Sequence, residues 1–199
     1  MNSDMNKLYD TGLIVGRFQT FHKGHQKLIE TGLMLCDRLL ILVGSAQECG
    51  TERNPLNVKT RIDMIQTVYQ TDRVMIYGLS DMTDETDIRP EWGEYVIDAV
   101  DRYIYKFVEI MIYGNDDSRS GWFSKDAIIN TSEFIVNRGA IPISATELRK
   151  AMVMNDRKKW MQWVDPKLHK MFDIIRNELM TVPFYQEMER KLLLKESSS

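Results

Sequence analysis

Leu13-Ile14-Val15-Gly16-Arg17-Phe18-Gln19-Thr20-Phe21-His22-Lys23-Gly24-His25 decides the fold: it runs a short apolar strand into a helix through a glycine-marked loop carrying two histidines. Leu28, Ile29, Leu33 and Cys36 follow at helical spacing, which puts both histidines at the helix start. There the first backbone N–H groups lack intrahelical acceptors and the helix dipole is positive, so anions are favoured. Histidines three residues apart can point the same way and donate to one phosphate chain. Gly24 between them removes the Cβ that would hold a ligand off the backbone. The stretch reads as a phosphate site.

Working outward, short apolar runs alternate with amphipathic stretches. The first helix runs to about Leu35. Leu39 to Val43 precedes a helix from about Asn57 to Gln70, Val74 to Tyr77 precedes one from about Glu91 to Lys106, and Val108 to Tyr113 makes a fourth strand. Phe134 to Val136 is a candidate fifth strand with polar, irregular flanks. This order predicts an α/β fold, a Rossmann-like doubly wound parallel sheet with right-handed crossovers. From Thr146 the pattern turns helical, with Pro166 and Pro183 as breaks between about three helices. We therefore expect a nucleotide-type α/β domain over 1–152, with 153–199 as a C-terminal helical extension of the same domain.

In such a sheet the ligand crevice lies at the carboxyl ends of the strands. Strand one ends at Gly16-Arg17, strand two at Gly44-Ser45-Ala46-Gln47 and strand four at Gly114-Asn115-Asp116-Asp117. Glycine is a common strand terminator, so the argument rests on the edge the three share.

Composition narrows the function. A chain of 199 residues, 43% hydrophobic, suffices for one ordinary core. Its net charge of -3 gives no overall basic field, so no nucleic-acid partner is expected. Arg157-Lys158-Lys159 reads as a solvated helix face. Cys36, placed in the first helix, and Cys49, in a loop, accompany no apolar leader and no membrane-length run. That usage predicts a cytoplasmic protein without membrane association. The third histidine, His169, lies near Trp160 and Trp163 in a late helix and reads as packing.

A histidine pair also suits a metal site or plain loop polarity. No carboxylate cluster or Cys-x-x-Cys accompanies it, so zinc is disfavoured and no protein-held metal is expected. Gly-x-x-x-x-Gly-Lys-Ser/Thr, Gly-x-Gly-x-x-Gly and Gly-x-Ser-x-Gly are all missing. Nucleotidyl transfer is the remaining candidate.

Ile143-Ser144-Ala145-Thr146-Glu147-Leu148-Arg149 opens the late helical region, with Glu147 three residues after Ser144 in a capping-box pattern. An ordinary helix cap and a second phosphate site fit it equally well on local grounds. Arg149 lies one turn into that helix and can lean back to its start.

Together these segments resemble the nicotinamide-nucleotide adenylyltransferases, most closely the archaeal-type branch, from about Gly12 to Met152. Gly16 to His25 is similar to that family's Gly-Arg-Phe-Gln-Pro-Phe-His-x-Gly-His, with Thr20 where proline is usual. Gly44-Ser45-Ala46-Gln47, Thr51, Arg53-Asn54-Pro55 and Arg61 are similar to its Gly-Ser-Ala-Gln segment, its Asn-Pro and a helical arginine. Glu91-Trp92 resembles its nicotinamide-stacking tryptophan, Tyr113-Gly114-Asn115 its Gly-Asn loop and Ser144 to Arg149 its Ser-x-Thr-x-x-Arg. Asp116 and Ala145 depart from the pattern, at positions where proline and glycine are common.

The resemblance implies attack by the phosphate of nicotinamide mononucleotide on the α-phosphorus of ATP, giving NAD and pyrophosphate. It implies catalytic roles for His22, His25 and Arg149. Gly16, Arg17, Gln47, Arg53, Asn54, Trp92, Gly114, Asn115, Ser144 and Thr146 would bind substrate, with Mg²⁺ held mainly by ATP. On spacing alone Trp92 also continues an apolar stripe through Tyr95, Val96 and Ala99, Gln47 suits a solvent-facing position and Asn115 suits a turn. Another phosphorylated acceptor, or a nucleotide sensor without turnover, stays open. The resemblance leaves room for a homo-oligomer and fixes no number.

Overall fold

The computed structural model describes residues 7–82, 91–114, 120–137, 139 and 141–196. Five strands, β1 (Tyr9–Gly16), β2 (Cys36–Val43), β3 (Val74–Gly78), β4 (Ile110–Gly114) and β5 (Ser132–Val136), form one sheet in the order β3-β2-β1-β4-β5. Every pairing is parallel. The chain steps outward from β1 through β2 to β3 and then returns to the other side of β1 for β4 and β5. The reversal lies between β1 and β4, and the carboxyl ends there are where a sheet of this kind takes its ligand.

β2 shows why its sequence is apolar without alternation. Leu39, Ile41 and Val43 enter one core cluster while Leu40 and Leu42 enter another on the opposite face. A strand covered on both faces has no side left for polar residues. α1 (Lys23–Leu35) and α2 (Val58–Val68) contribute to the first cluster, α3 (Glu91–Ile104) to the second. β5 is the contrast: it is an edge strand with only Val136 buried, which explains its polar flanks.

The described elements match the predicted order, with two corrections. Cys36 does not belong to the first helix; it caps α1 and opens β2 with no intervening turn. The late region holds α4 (Ala145–Val153), α5 (Arg157–Trp163), a 3-10 stretch (Pro166–Met171), α6 (Phe172–Leu179) and α7 (Pro183–Glu196), more breaks than proline alone signals. The extra break is at Asn155, whose φ of 53° ends α4, followed by Asp156, whose side chain accepts from Lys159 N at 2.9 Å to cap α5. Asparagine enters the left-handed region more readily than most residues.

Leu148, Met152, Trp160, Leu168, Phe172, Ile175, Leu179 and Tyr185 from these late helices lie in the same cluster as Ile14, Ile41 and Ile112 of the sheet. Burial of each such side chain contributes about 1.5–3 kcal/mol. The C-terminal helices are thus continuous with the main core. No described helix is long and apolar enough to cross a membrane.

Candidate active site

His22 is the N-cap of α1. Its extended backbone turns the ring back so that Nδ1 accepts from Gly24 N at 3.0 Å. An imidazole that accepts at Nδ1 carries its proton on Nε2, so the capping bond sets which nitrogen is the donor. The ring is 1% exposed and stacks on His25, centroids 4.0 Å apart and 26° between planes. Phe18 meets His25 edge-on at 4.9 Å and Phe21 stacks on it at 5.9 Å, which fixes the second imidazole. A Cβ on Gly24 would lie 2.8 Å from His22 Cε1, so glycine is demanded by the capping ring as well as by access to the backbone. Phe18 is buried with φ at 54°, the packing role expected of it in a strained loop.

The second helix start meets this loop. Ser144 caps α4, its Oγ accepting from Glu147 N at 3.2 Å. Arg149 leans back along the helix: one guanidinium nitrogen donates to Thr146 Oγ1 at 3.1 Å and another to the carbonyl of Gln19, three residues before His22. Two segments separated by some 130 positions are joined by that guanidinium. Arg149 Nε and Thr20 Oγ1 are enclosed without a hydrogen-bond partner among the described residues, which fits a place prepared for a polar ligand.

A buried cation underlies both. Arg61, on α2, is fully buried and donates to the carbonyls of Arg17 (3.0 Å), Gly44 (2.7 Å), Ser45 (3.0 Å) and Asn57 (3.2 Å). It sutures the exits of β1 and β2. Burial lowers its pKa to about 10, opposed by Asp81 and Glu178, so it stays charged at neutral pH. Gln19 adds a second tie, its carboxamide donating to Leu56 O at 2.9 Å and accepting from Leu56 N at 3.0 Å. Arg17 lies half-buried beside these ties, Arg53 is exposed in the loop before α2, and Asn54 is buried with its N–H on Thr51 Oγ1 at 2.9 Å. Gln47 is exposed, and its Oε1 accepts from Asp81 N at 2.8 Å, holding the exit of β3.

The other side of the reversal is apolar. Trp92, in the first turn of α3, is 9% exposed and packs against Trp122 at 5.2 Å and Tyr95 at 5.9 Å within the second core cluster. The core placement weighed for Trp92 is therefore present. Leu13, Val15, Val96, Met111, Tyr113, Trp122 and Phe123 line a small pocket beside it. Gly93 permits this: a Cβ there would meet Trp122 O at 2.2 Å. Gly114 is buried at the end of β4, and Gly16 is half-buried at the end of β1 with the Phe18 ring over it. Asn115 lies outside the described residues. His169 packs at 6.4 Å from Trp160 with Nε2 3.2 Å from Met161 O, remote from the histidine loop in role.

Sequence reasoning gave Arg61 no role of its own, although a charge on the same helix face as Met64, Ile65 and Val68 is a legible oddity. Trp122 and the late residues Glu178 and Tyr185 were missed as well. Among the described residues no three His, Cys, Asp or Glu side chains converge to hold a metal ion.

The cytidylyltransferase-like family model matches residues 13–151. The nicotinamide-nucleotide adenylyltransferase of Saccharolobus solfataricus is 26% identical over 80% of this chain and 87% of its own length. That of Thermococcus onnurineus is 30% identical over 71% of this chain and 72% of its own. A bifunctional NMN adenylyltransferase/ADP ribose pyrophosphatase from Francisella tularensis, crystallised with AMP and a manganese ion, superposes with a TM-score of 0.68 at 23% identity. It covers 94% of this chain, which spans a little over half of that one (56%), and the likeness carries the fold. With the His22–His25 loop, the Ser144–Arg149 helix start and the β1/β4 reversal in one sheet, the chain belongs to the cytidylyltransferase-like family, among the relatives of the nicotinamide-nucleotide adenylyltransferases.

Proposed function

We propose that the chain transfers the adenylyl group of ATP to nicotinamide mononucleotide, releasing pyrophosphate and forming NAD. The mononucleotide phosphate oxygen attacks the α-phosphorus in line, a P–O bond forms, and the bond to the β-phosphate oxygen breaks with its electrons leaving on pyrophosphate. The nucleophile is already anionic, so no protein base is required. The task is to bring two polyanions together and to stabilise the charge that develops on the leaving group.

The observation that carries this reading is the junction of Arg149 with the loop of the stacked histidines. In this reading His22 Nε2–H and His25 face the α- and β-phosphates, while Ser144, Thr146 and Arg149 take the β- and γ-phosphates at the start of α4. Arg17 and Arg53 add cationic contacts, and Gly16 and Gly114 let the ligand approach the backbone. Gln47 and Asn54 add polar groups, and Asn115 keeps the substrate-binding role that the resemblance implies. Trp92 supplies an indole edge or face to the pyridine, supported by its place beside the apolar pocket. Magnesium enters this reading only with the oxygens of ATP, and no step passes through a resident metal. The free thiols of Cys36 and Cys49 suit a reducing cytoplasm.

Incubation with ATP, Mg²⁺ and a panel of phosphorylated acceptors tests the proposal by product mass. NAD and stoichiometric pyrophosphate from nicotinamide mononucleotide are expected. A different adenylylated acceptor reassigns the substrate, and ATP binding without pyrophosphate release makes the protein a sensor.

A further inference from the structure

We propose that Glu178, on α6, is a positioning residue: it completes the cap of α2 from another helix and thereby fixes the loop carrying Arg53 and Asn54 against the histidine loop. This rests on the assignment of Arg53 and Asn54 to the substrates.

Asn57 is the N-cap of α2, its Oδ1 accepting from Thr60 N at 2.9 Å. In a capping box the residue at the position of Thr60 is Glu or Gln, and its side chain accepts from the N–H of the cap residue. Here that position is threonine, and α2 has no acidic residue in its first turn. Glu178 fills the role from 121 positions away: its Oε1 accepts from Asn57 N at 2.6 Å and from Asn57 Nδ2 at 2.5 Å, and its Oε2 accepts from Thr60 Oγ1 at 2.6 Å. The bond to Nδ2 also sets the carboxamide so that its oxygen faces the helix. The carboxylate meets the positive end of the α2 dipole.

The loop before α2 is thereby held at three places. Tyr185 of α7 donates its hydroxyl to Glu52 O at 2.6 Å, Gln19 of the histidine loop takes both backbone groups of Leu56, and Glu178 holds Asn57. Arg53 and Asn54 lie between these anchors. α6 is itself fixed, since Ile175 and Leu179 are fully buried in the core and Arg176 donates to the carbonyls of Met152 (2.8 Å) and Val153 (3.3 Å) at the end of α4. One helix therefore braces the start of α2 to the helix that carries Arg149. A cap that served the fold alone would matter equally whatever side chain stood at position 53.

The test is a double-mutant cycle of Glu178→Ala with Arg53→Ala on the full chain, with Glu178→Gln as the conservative variant. With ATP and nicotinamide mononucleotide, well below the melting temperature of every variant, we expect E178A to lower kcat/KM about tenfold. E178Q should stay within about threefold of wild type, because its Oε1 still accepts both Asn57 donors. In the R53A background E178A is expected to change kcat/KM less than about twofold. Equal losses in both backgrounds, a loss in E178Q as large as in E178A, or full activity of E178A overturns the proposal. Glu178→Asp, which keeps the charge and shortens the reach, takes the place of E178A if that variant does not fold, with the same outcomes. If the wild type makes no NAD, the functional reading fails; calorimetric binding of ATP and of nicotinamide mononucleotide across the same cycle then decides the positioning role. Non-additivity for at least one of the two is expected, and additivity for both overturns it.

Discussion

The two sides of the β1/β4 reversal are built from opposite chemistry. On one side, backbone carbonyls and imidazoles are fixed by directed bonds: Arg61 on four carbonyls, Gln19 on Leu56, His22 on Gly24, Arg149 on Gln19. On the other, Trp92, Trp122, Phe123 and Tyr113 form a packed shelf shaped by the close approach at Gly93. Directed bonds preorganise charge before substrate arrives, which lowers a barrier, whereas an apolar shelf gives shape and area, which sets affinity and fold stability. Substitutions on the first side should therefore act on turnover, and on the second on acceptor affinity or on the core.

The largest expected break is Arg61→Met. It strips the buried guanidinium donor from the carbonyls of Arg17 and Gly44, and leaves those of Ser45 and Asn57 with only the backbone N–H groups of Glu48 and residue 61, at a cost of about 3–5 kcal/mol in unfolding free energy. Denaturant titration measures it, and a loss below about 1 kcal/mol would show that the suture is dispensable.

Next in size, His25→Ala should cost about 3 kcal/mol of transition-state stabilisation, roughly a hundredfold in turnover, with the fold retained. Steady-state kinetics with a thermal melt checks both halves. Near wild-type turnover removes His25 from its assigned role.

Gly93→Ala brings the comparison to the apolar side. The added Cβ would meet Trp122 O at 2.2 Å and Phe123 Cα at 2.7 Å, both backbone, as well as the Phe123 ring at 2.8 Å, so stability should fall by about 1–3 kcal/mol. An unchanged melting curve would mean that the shelf yields easily. The smallest effect is expected from Trp92→Phe, chosen because the ring is largely buried and truncation to alanine would empty the core. Replacing indole by phenyl should weaken mononucleotide binding by about 0.5–2 kcal/mol with the KM for ATP unchanged. A lower melting temperature with both KM values intact would leave Trp92 as core alone.

How legible this site was depends on how local its signals are. The β1–α1 junction and the Ser144–Arg149 helix start were readable because a strand, a cap and a helix period lie within a dozen residues. That Arg149 can lean back to the start of its helix was readable for the same reason; its bond to Thr146 there is a finding of the structure. Its contact with Gln19 was not, since nothing in either segment names the other. Arg61 looked like one more helical arginine because its acceptors are main-chain carbonyls at residues 17, 44, 45 and 57, which carry no side-chain signature. Cys36 was misplaced because α1 passes directly into β2 at that residue, without glycine or proline to punctuate it. Tyr185 and Glu178 act across more than a hundred positions, where periodicity is silent.

The central claim is that two helix starts hold one triphosphate. A crystal structure with a non-hydrolysable ATP analogue tests it most directly. His22 Nε2, His25 and the Arg149 guanidinium should all lie within about 3 Å of oxygens of the same triphosphate chain. A triphosphate bound at only one helix start, with the histidines and Arg149 on separate ligands or on none, would contradict the account.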